Sequence, residues 1–359
     1  MEMETEREGP GEQYQADRLS NLPDAILHHI LSFLEDTRAA AQTSVLSRRF
    51  RFLWTSLPDL CFDTKPFSCP YTFFCFVTSS LAARDRSCRL GRLRFYIRRR
   101  FGHRNDVTES VYDSRDIALR YAGTKGLYHL VLHNFPDQSH SLSAALLDLD
   151  LEHWPTLKTL ELAGNRLPPS PPPSFAGITT LHLEDCVVGQ VFDALEMFPN
   201  LAHLCLINLT VYGYDADKDC EDYADGVRVI SGSKLLSLRM ETDLRQCPSH
   251  SHIEISAPNL TVFRYKAFHM FDSLSVIDLP SLQHAQVYFS HAEDEDPELK
   301  ADEFFNLLRG LRNAEFLKLN TEFLQALLDG DVLEHHKCSF TGLKSLKLLL
   351  VLGLVYLQR

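Results

Sequence analysis

From Leu90 onward one pattern of apolar and polar positions keeps returning, Leu-x-x-Leu-x-Leu or a close variant. It starts at Leu90 (LGRLRF), Leu127 (LYHLVL), Leu157 (LKTLEL), Ile178 (ITTLHL), Leu201 (LAHLCL), Leu235 (LLSLRM), Leu260 (LTVFRY), Leu282 (LQHAQV), Ala314 (AEFLKL) and Leu343 (LKSLKL). These ten starts have a mean period of about 28 residues, which is the signature of stacked structural repeats. Within each unit apolar and polar residues alternate, the period of a short strand with one face in a core. Pro155, Pro199, Pro258 and Pro280 stand at the same offset before four of the units. Proline ends whatever precedes it and feeds an extended segment.

Between the strands, apolar residues recur at helical spacing in GQVFDALEMF (Val191, Phe192, Leu195, Phe198), DEFFNLLRGL (Phe304, Phe305, Leu308, Leu311) and TEFLQALL (Phe323, Leu324, Leu327, Leu328). Strand, turn and helix repeated at this period predict an α/β fold, a leucine-rich-repeat solenoid with parallel strands on the concave side and helices on the convex side. Asn165 and Cys186 fall at the ninth position of their units, where such repeats use a buried side chain to bridge adjacent turns. Most other units lack it, so the array is irregular. Residues between the leucines face away from the core. That set comprises Arg92, Arg94, His129, His133, Glu161, His182, Glu184, His203, Arg239, Glu241, Arg264, Lys266, Tyr288 and Lys318. A mixed polar surface carrying arginine, histidine and tyrosine suits recognition of a folded partner or a peptide.

The first 63 residues follow another pattern. Residues 1–16, MEMETEREGPGEQYQA, are polar and acidic without apolar period and predict a flexible tail. Ser20 or Asn21 can then cap a helix with Pro23 in its first turn, running to about Leu34. Its apolar residues Leu22, Ile26, Leu27, Ile30, Leu31, Phe33 and Leu34 cover more of the circumference than docking on one neighbour needs. Asp36 or Thr37 starts a second short helix, and Ser47 caps a third with Phe50, Leu53 and Trp54 on one side. Three helices of this length are below the size at which a lone core is comfortable without metal, disulfide or partner.

The strings LPDAILHHILSFL and TSVLSRRFRFLW, in this order and spacing, resemble the F-box motif as found in plant F-box proteins with leucine-rich repeats of the RNI-like, FBD-associated type. Phe50 departs from those relatives, which more often carry tryptophan there. The resemblance implies a three-helix F-box over 17–63, a linker or first helical cap over 64–89, and the irregular solenoid over 90–359. It implies a non-catalytic substrate-recognition subunit of a Skp-cullin-F-box (SCF) ubiquitin ligase. Leu22, Pro23, Ile26, Leu27, Ile30, Leu31, Val45, Leu46 and Trp54 would lie at or behind the interface with a Skp-type adaptor, through it a cullin, and the repeats would hold an unknown protein substrate. The competing readings are a repeat scaffold, or a receptor for a small anion bound through Arg92, Arg94, Arg264 or Lys266, neither engaged with a ligase.

Composition narrows the remaining classes. Nine cysteines without any C-x-x-C pair predict reduced thiols and a cytosolic or nuclear location. The net charge of -12 argues against general nucleic-acid affinity, although nine arginines and one aspartate crowd between Arg84 and Arg104. That cluster reads as a basic edge where the repeats meet the F-box, or as a nuclear-import or anion-binding element. No secretory signal fits the start, and the run from Leu346 to Leu357 is too short to cross a bilayer. DADKDCEDYADG from Asp215 has Cys220 and Gly226 where a calcium loop needs glycine and glutamate, so it reads as an acidic insertion. Neither Cys247, His250 and His252 nor His335, His336 and Cys338 supply four ligands at zinc spacing, and the expectation is no metal and no cofactor. The apolar end LKLLLVLGLVYLQR has no polar capping repeat, which predicts a truncated or spliced, poorly soluble product.

Overall fold

A computed structural model describes residues 19, 21–34, 36–98, 105–134, 154–165, 167, 176–188, 198–211, 228–242, 252–267, 273–276, 279–289, 297–320 and 339–349. In chain order the elements are α1 (Asp24–Ser32), α2 (Thr37–Gln42), α3 (Phe50–Leu53), β1 (Asp59–Asp63), α4 (Pro70–Ala83), β2 (Arg92–Ile97), α5 (Asn105–Gly123), β3 (His129–Asn134), β4 (Thr159–Ala163) and β5 (Thr180–Glu184). Then come β6 (Val187–Val188), β7 (His203–Ile207), β8 (Thr210–Val211), β9 (Arg228–Ser231), β10 (Ser237–Thr242), β11 (His252–Ser256), β12 (Val262–Ala267), β13 (Ser273–Val276), β14 (His284–Phe289), α6 (Pro297–Gly310), β15 (Phe316–Asn320) and β16 (Ser345–Leu349).

All ten Leu-x-x-Leu-x-Leu units form strands of a single parallel sheet, in the order β2-β3-β4-β5-β7-β10-β12-β14-β15-β16. An eleventh strand, β1, precedes them and pairs with β2. The sequence reading placed Asp59–Asp63 in the helical module. That stretch is also the first strand of the sheet: Leu60 and Phe62 join the large core of the sheet while Leu57 joins the small core of the helices. Leu60, Leu93, Leu130, Leu160, Leu181, Leu204, Leu238, Phe263, Ala285 and Leu317 form one inward level across the sheet.

The repeated local geometry explains the repeated residues. Pro155, Pro199, Pro258 and Pro280 occupy the second position of β-turns closed by Leu157, Leu201, Leu260 and Leu282 N–H donating to the carbonyls of Trp154, Phe198, Ala257 and Leu279 at 3.0–3.2 Å. Asn200, Asn259 and Asn313, in the third position of their turns, donate through Nδ2 to the preceding repeats at Ala176, Ser233 and Leu279 carbonyls. After three successive strands the chain turns through Gly164, Asp185 and Asn208 at φ 64, 50 and 49° in the order Gly, Asn, Asp. These residue types tolerate the left-handed region best. Asn165 donates to Leu132 O and Ala163 O, both at 2.8 Å, and Cys186 Sγ lies 3.4 and 3.3 Å from Leu162 O and Glu184 O, so both fill the bridging position that the spacing predicts.

The convex cover differs from a uniform row of helices. Helices α4, α5 and α6 are there, with Phe73, Val77, Ala118, Leu119, Phe304 and Leu308 in the core. Between β7 and β14, however, the return segments β9, β11 and β13 make their own three-stranded parallel sheet. HIEIS alternates with period two and buries Ile253 and Ile255, which a strand does and a helix cannot. The helical stretches expected at 190–197 and 321–328 lie outside the described residues, as do the tail 1–16, the acidic insertion, the Cys247/His250 and His335/His336/Cys338 clusters and residues 350–359.

The three short helices cover the β1 edge. Thr37 Oγ1 accepts from Cys61 N–H at 2.8 Å, Thr55 O accepts from Asp85 N–H at 3.2 Å, and the Arg38 guanidinium sits 5.4 Å from the Phe67 ring centroid. An open sheet edge is a pairing hazard, and a helical cap removes it. Among the described residues no helix is long and apolar enough to cross a membrane.

Candidate functional site

Two surfaces stand out, one on the helical module and one on the strands. In α1, Leu27 and Leu31 lie one turn apart and enter a small core with Ala40, Phe50, Leu53, Trp54 and Leu57. Pro23, rather than Ser20 or Asn21, stands at the N-cap, and no side chain caps the helix. Asp36 does cap α2, accepting from Ala39 N–H at 2.7 Å, and Ser47 Oγ accepts from Phe50 N–H at 3.3 Å. Arg49 fastens α3 to α1 by donating to Leu22 O at 2.6 Å and through Nε to Asp24 at 2.8 Å.

This core leaves much apolar surface over. Of the nine residues expected at or behind an interface, Leu27, Leu31 and Trp54 are buried and Leu22 packs against them. Pro23, Ile26, Ile30, Val45 and Leu46 are at the surface, Val45 with 87% of its area exposed. Leu19, Phe33 and Phe52 are exposed with them, Phe33 at 74%, and were not in the expected set. Their signal was present: a helix that turns Phe50 and Leu53 inward must turn Phe52 outward. Half of the exposed large apolar side chains among the described residues fall between Leu19 and Phe52. Such a concentration marks an interaction site rather than the scatter of an ordinary surface.

On the strands, all fourteen residues expected on the outer face share that face, on three levels of the register. The first level carries Arg92, His129 and His203; the second Arg94, Glu161, His182, Arg239, Arg264 and Lys318; the third His133, Glu184, Glu241, Lys266 and Tyr288. Tyr96, Cys205 and Lys347 belong to the same face and were missed, although the alternation that found Lys318 also points to Lys347.

On the first half of this face several side chains pair with one another. His129 Nε2 lies 2.8 Å from Glu161 Oε1, and that hydrogen bond holds the Glu161 carboxyl below its usual range despite partial burial. His133 packs edge-on against Tyr96, ring centroids 5.0 Å apart, and burial lowers its pKa. His182 Nε2 is 3.9 Å from Glu184, too far for a hydrogen bond. Arg92 lies 4.0 Å from Asp59, and Arg98 is 3.5 Å from Asp63 and stacks on Tyr96. Arg92 and Arg98 thus stand beside the carboxylates of β1. On the second half, Arg239 donates to Glu241 at 2.7 Å, while Arg264, Lys266, Lys318 and Lys347 are exposed. Burial pushes the thiols of Cys61 and Cys205 up to about 11 and that of Cys186 to about 12, so none of them is a thiolate nucleophile at neutral pH. Among the described residues no group of three or more His, Cys, Asp and Glu side chains is placed to hold a metal ion.

Comparison with known proteins finds the helical module and the repeats together. Residues 19–62 match the F-box domain. An F-box/FBD/LRR-repeat protein from Arabidopsis thaliana is 30% identical over 365 residues, covering 93% of this chain and 68% of the relative. An F-box/LRR-repeat protein from the same plant is 27% identical over 331 residues, 87% of this chain and 61% of the relative. Another Arabidopsis F-box/FBD/LRR-repeat protein is 59% identical over 49 residues, 14% of this chain and 11% of its own. The chain thus spans about two thirds of the length of the relatives that it matches along most of its own.

Proposed function

We propose the following role for this chain, which belongs to the F-box/FBD/LRR-repeat family: it is the substrate-recognition subunit of an SCF-type ubiquitin ligase, working in the cytoplasm or nucleus. The helical module binds a Skp-type adaptor and through it a cullin, and the outer strand face holds a target protein. The chain needs no catalytic group of its own for this. Its contribution is proximity, raising the effective concentration of target lysines near a ubiquitin-charged enzyme.

The observation that carries this reading is the separation of two apolar sets within one short module. Leu27, Leu31, Phe50, Leu53 and Trp54 close a core, and Ile26, Ile30, Phe33, Val45, Leu46 and Phe52 remain outside it. A core that already excludes water has no use for the second set, which supports its covering by a partner. The direct test is binding of the full chain to a purified Skp-type adaptor, with Val45→Asp/Leu46→Asp as control. Binding by the native chain and loss in that variant supports the assignment; an adaptor that ignores both forms rejects it. Leu27→Asp is unsuitable as a control because Leu27 is fully buried and its loss would unfold the module.

A further inference from the structure

The two halves of the strand face differ in charge in a way that the chain's net charge of -12 conceals. On β1 to β7 the outward carboxylates Asp59, Asp63, Glu161 and Glu184 stand among Arg92 and Arg94, and Arg92 has Asp59 beside it. On β10 to β16 five cations, Arg239, Arg264, Lys266, Lys318 and Lys347, face outward with a single carboxylate, Glu241, which pairs with Arg239. Arg264, Lys266, Lys318 and Lys347 are exposed, and among the described residues no carboxylate pairs with any of them.

Four of these cations share one level of the register. Reading across adjacent strands it runs Arg239, Arg264, Gln286, Lys318, Lys347, and Lys266 stands beside Arg264 on the next level. Neighbouring strands are about 4.8 Å apart, so the row is about 19 Å long. Arg239 and Arg264 are directly opposite each other on paired strands, as are Lys318 and Lys347. Like charges in that relation destabilise a sheet unless an anion relieves them.

We propose that this row binds an extended acidic segment of a protein, laid across the strands with its carboxylates on Arg264, Lys318 and Lys347. The inference rests on the strand face being the target surface and specifies the target's chemistry. An extended chain advances about 3.3 Å per residue, so about six residues span the row. The arginine fork accepts a carboxylate through two parallel hydrogen bonds, and each lysine supplies a point charge. A long nucleic acid would meet the same cations but also the field of a chain carrying -12, whereas a short acidic stretch in a protein of mixed charge avoids that repulsion.

The test uses the full chain and fluorescein-labelled octaglutamate, octaglutamine and octauridylate, followed by fluorescence anisotropy at about 50 mM and about 200 mM salt. Octaglutamate is expected to bind at the lower salt and octaglutamine not to bind. Affinity should fall at least about tenfold at the higher salt, where screening shortens the reach of exposed charges. Arg264→Glu/Lys318→Glu should lose at least about tenfold, and Arg92→Glu/Arg94→Glu should stay within about twofold. The row assignment is overturned by absence of octaglutamate binding, by equal losses in the two variants, or by octauridylate binding more tightly than octaglutamate. Thermal melts of both variants guard against misfolding. Adaptor binding by the same samples separates the two levels of argument: adaptor bound without octaglutamate overturns the acidic-segment assignment alone, and no adaptor binding overturns the ligase reading itself.

Discussion

Val45→Asp and Leu27→Ala should fail in opposite ways. Val45 keeps 87% of its area exposed, so folding covers only about an eighth of it. Full burial of a valine side chain contributes about 1.5–3 kcal/mol, which leaves about 0.2–0.4 kcal/mol of module stability resting on that side chain. If the adaptor covers the rest, the aspartate variant forfeits about 1.3–2.6 kcal/mol of apolar contact and adds about 2 kcal/mol or more for desolvating an unpaired polar group. A total of about 3–5 kcal/mol corresponds to a loss of roughly 10²-fold to several thousandfold in adaptor affinity with an unchanged melt. Leu27 is fully buried, and its truncation to alanine costs about 2.7–5 kcal/mol, comparable with all the stability that so small a core supplies. The Leu27→Ala module should therefore be unfolded by circular dichroism, with adaptor partly restoring it by mass action. Titration calorimetry against the adaptor and thermal melts of both variants decide the matter. Native-like affinity of Val45→Asp refutes the covering of that turn, and a stability loss above about 1 kcal/mol in the same variant refutes its assignment as surface.

Three further outcomes follow from the strand array. Asn165→Leu removes two 2.8 Å hydrogen bonds from a side chain that is 2% exposed and should cost about 2–4 kcal/mol in urea denaturation; Cys186→Ala, which loses only weak sulfur contacts at 3.3 and 3.4 Å, should cost about 1 kcal/mol. Asp185→Gly should be neutral or stabilising and Asp185→Val destabilising by about 1–2 kcal/mol, because the residue sits at φ 49°. Acidification should weaken the fold in two steps, read by melts across pH. Burial places His133 below the ordinary 6.5, so the unfolded chain takes up that proton first and stability falls as pH drops from 6.5 toward the lowered value; His133→Gln should abolish this first step. The second step belongs to Glu161, whose lowered pKa contributes stability above the ordinary 4.5 that is lost as pH falls through the lowered value.

Much of the fold was legible because its signals are local. Every Leu-x-x-Leu-x-Leu unit became a strand, since alternation with a leucine face has one good solution when the strands stack parallel. The first strand escaped for the opposite reason. Leu57-x-x-Leu60-x-Phe62 is the same pattern, but Leu57 closes the helical core while Leu60 and Phe62 enter that of the sheet, so the pattern straddles two packing units. The return strands β9, β11 and β13 escaped because alternation looks the same whichever layer of a solenoid it fills. On the helical module, breadth of the apolar arc predicted that a face would be left over. Helical spacing also pointed Phe52 away from Phe50 and Leu53, but how far each side chain of α1 stands out depends on how α1 and α3 rotate against each other, and the packing fixes that Ile30 and Phe33 stay out.

The cationic row belongs to a third class, visible in the sequence as residues but not as an arrangement. Alternation assigns Arg239, Arg264 and Lys318 to the outer face one unit at a time, while unit lengths vary from 21 residues between Leu157 and Ile178 to 37 between Leu90 and Leu127. Spacing along the chain therefore cannot align them. What aligns them is one backbone hydrogen bond made in every repeat. Gly91, Tyr128, Lys158, Thr179, Ala202, Leu236, Thr261, Gln283, Glu315 and Lys344 each donate N–H to the corresponding residue of the preceding unit, starting at Pro58 O, over 2.7–3.1 Å. This ladder sets every strand to the same level whatever the loop before it contains. Loop length is thereby decoupled from face geometry, so insertions between strands leave the outer levels in register. Charge reversal at Arg264 or Lys318 should accordingly alter ligand binding without altering the ladder, and that independence makes the strand face testable residue by residue.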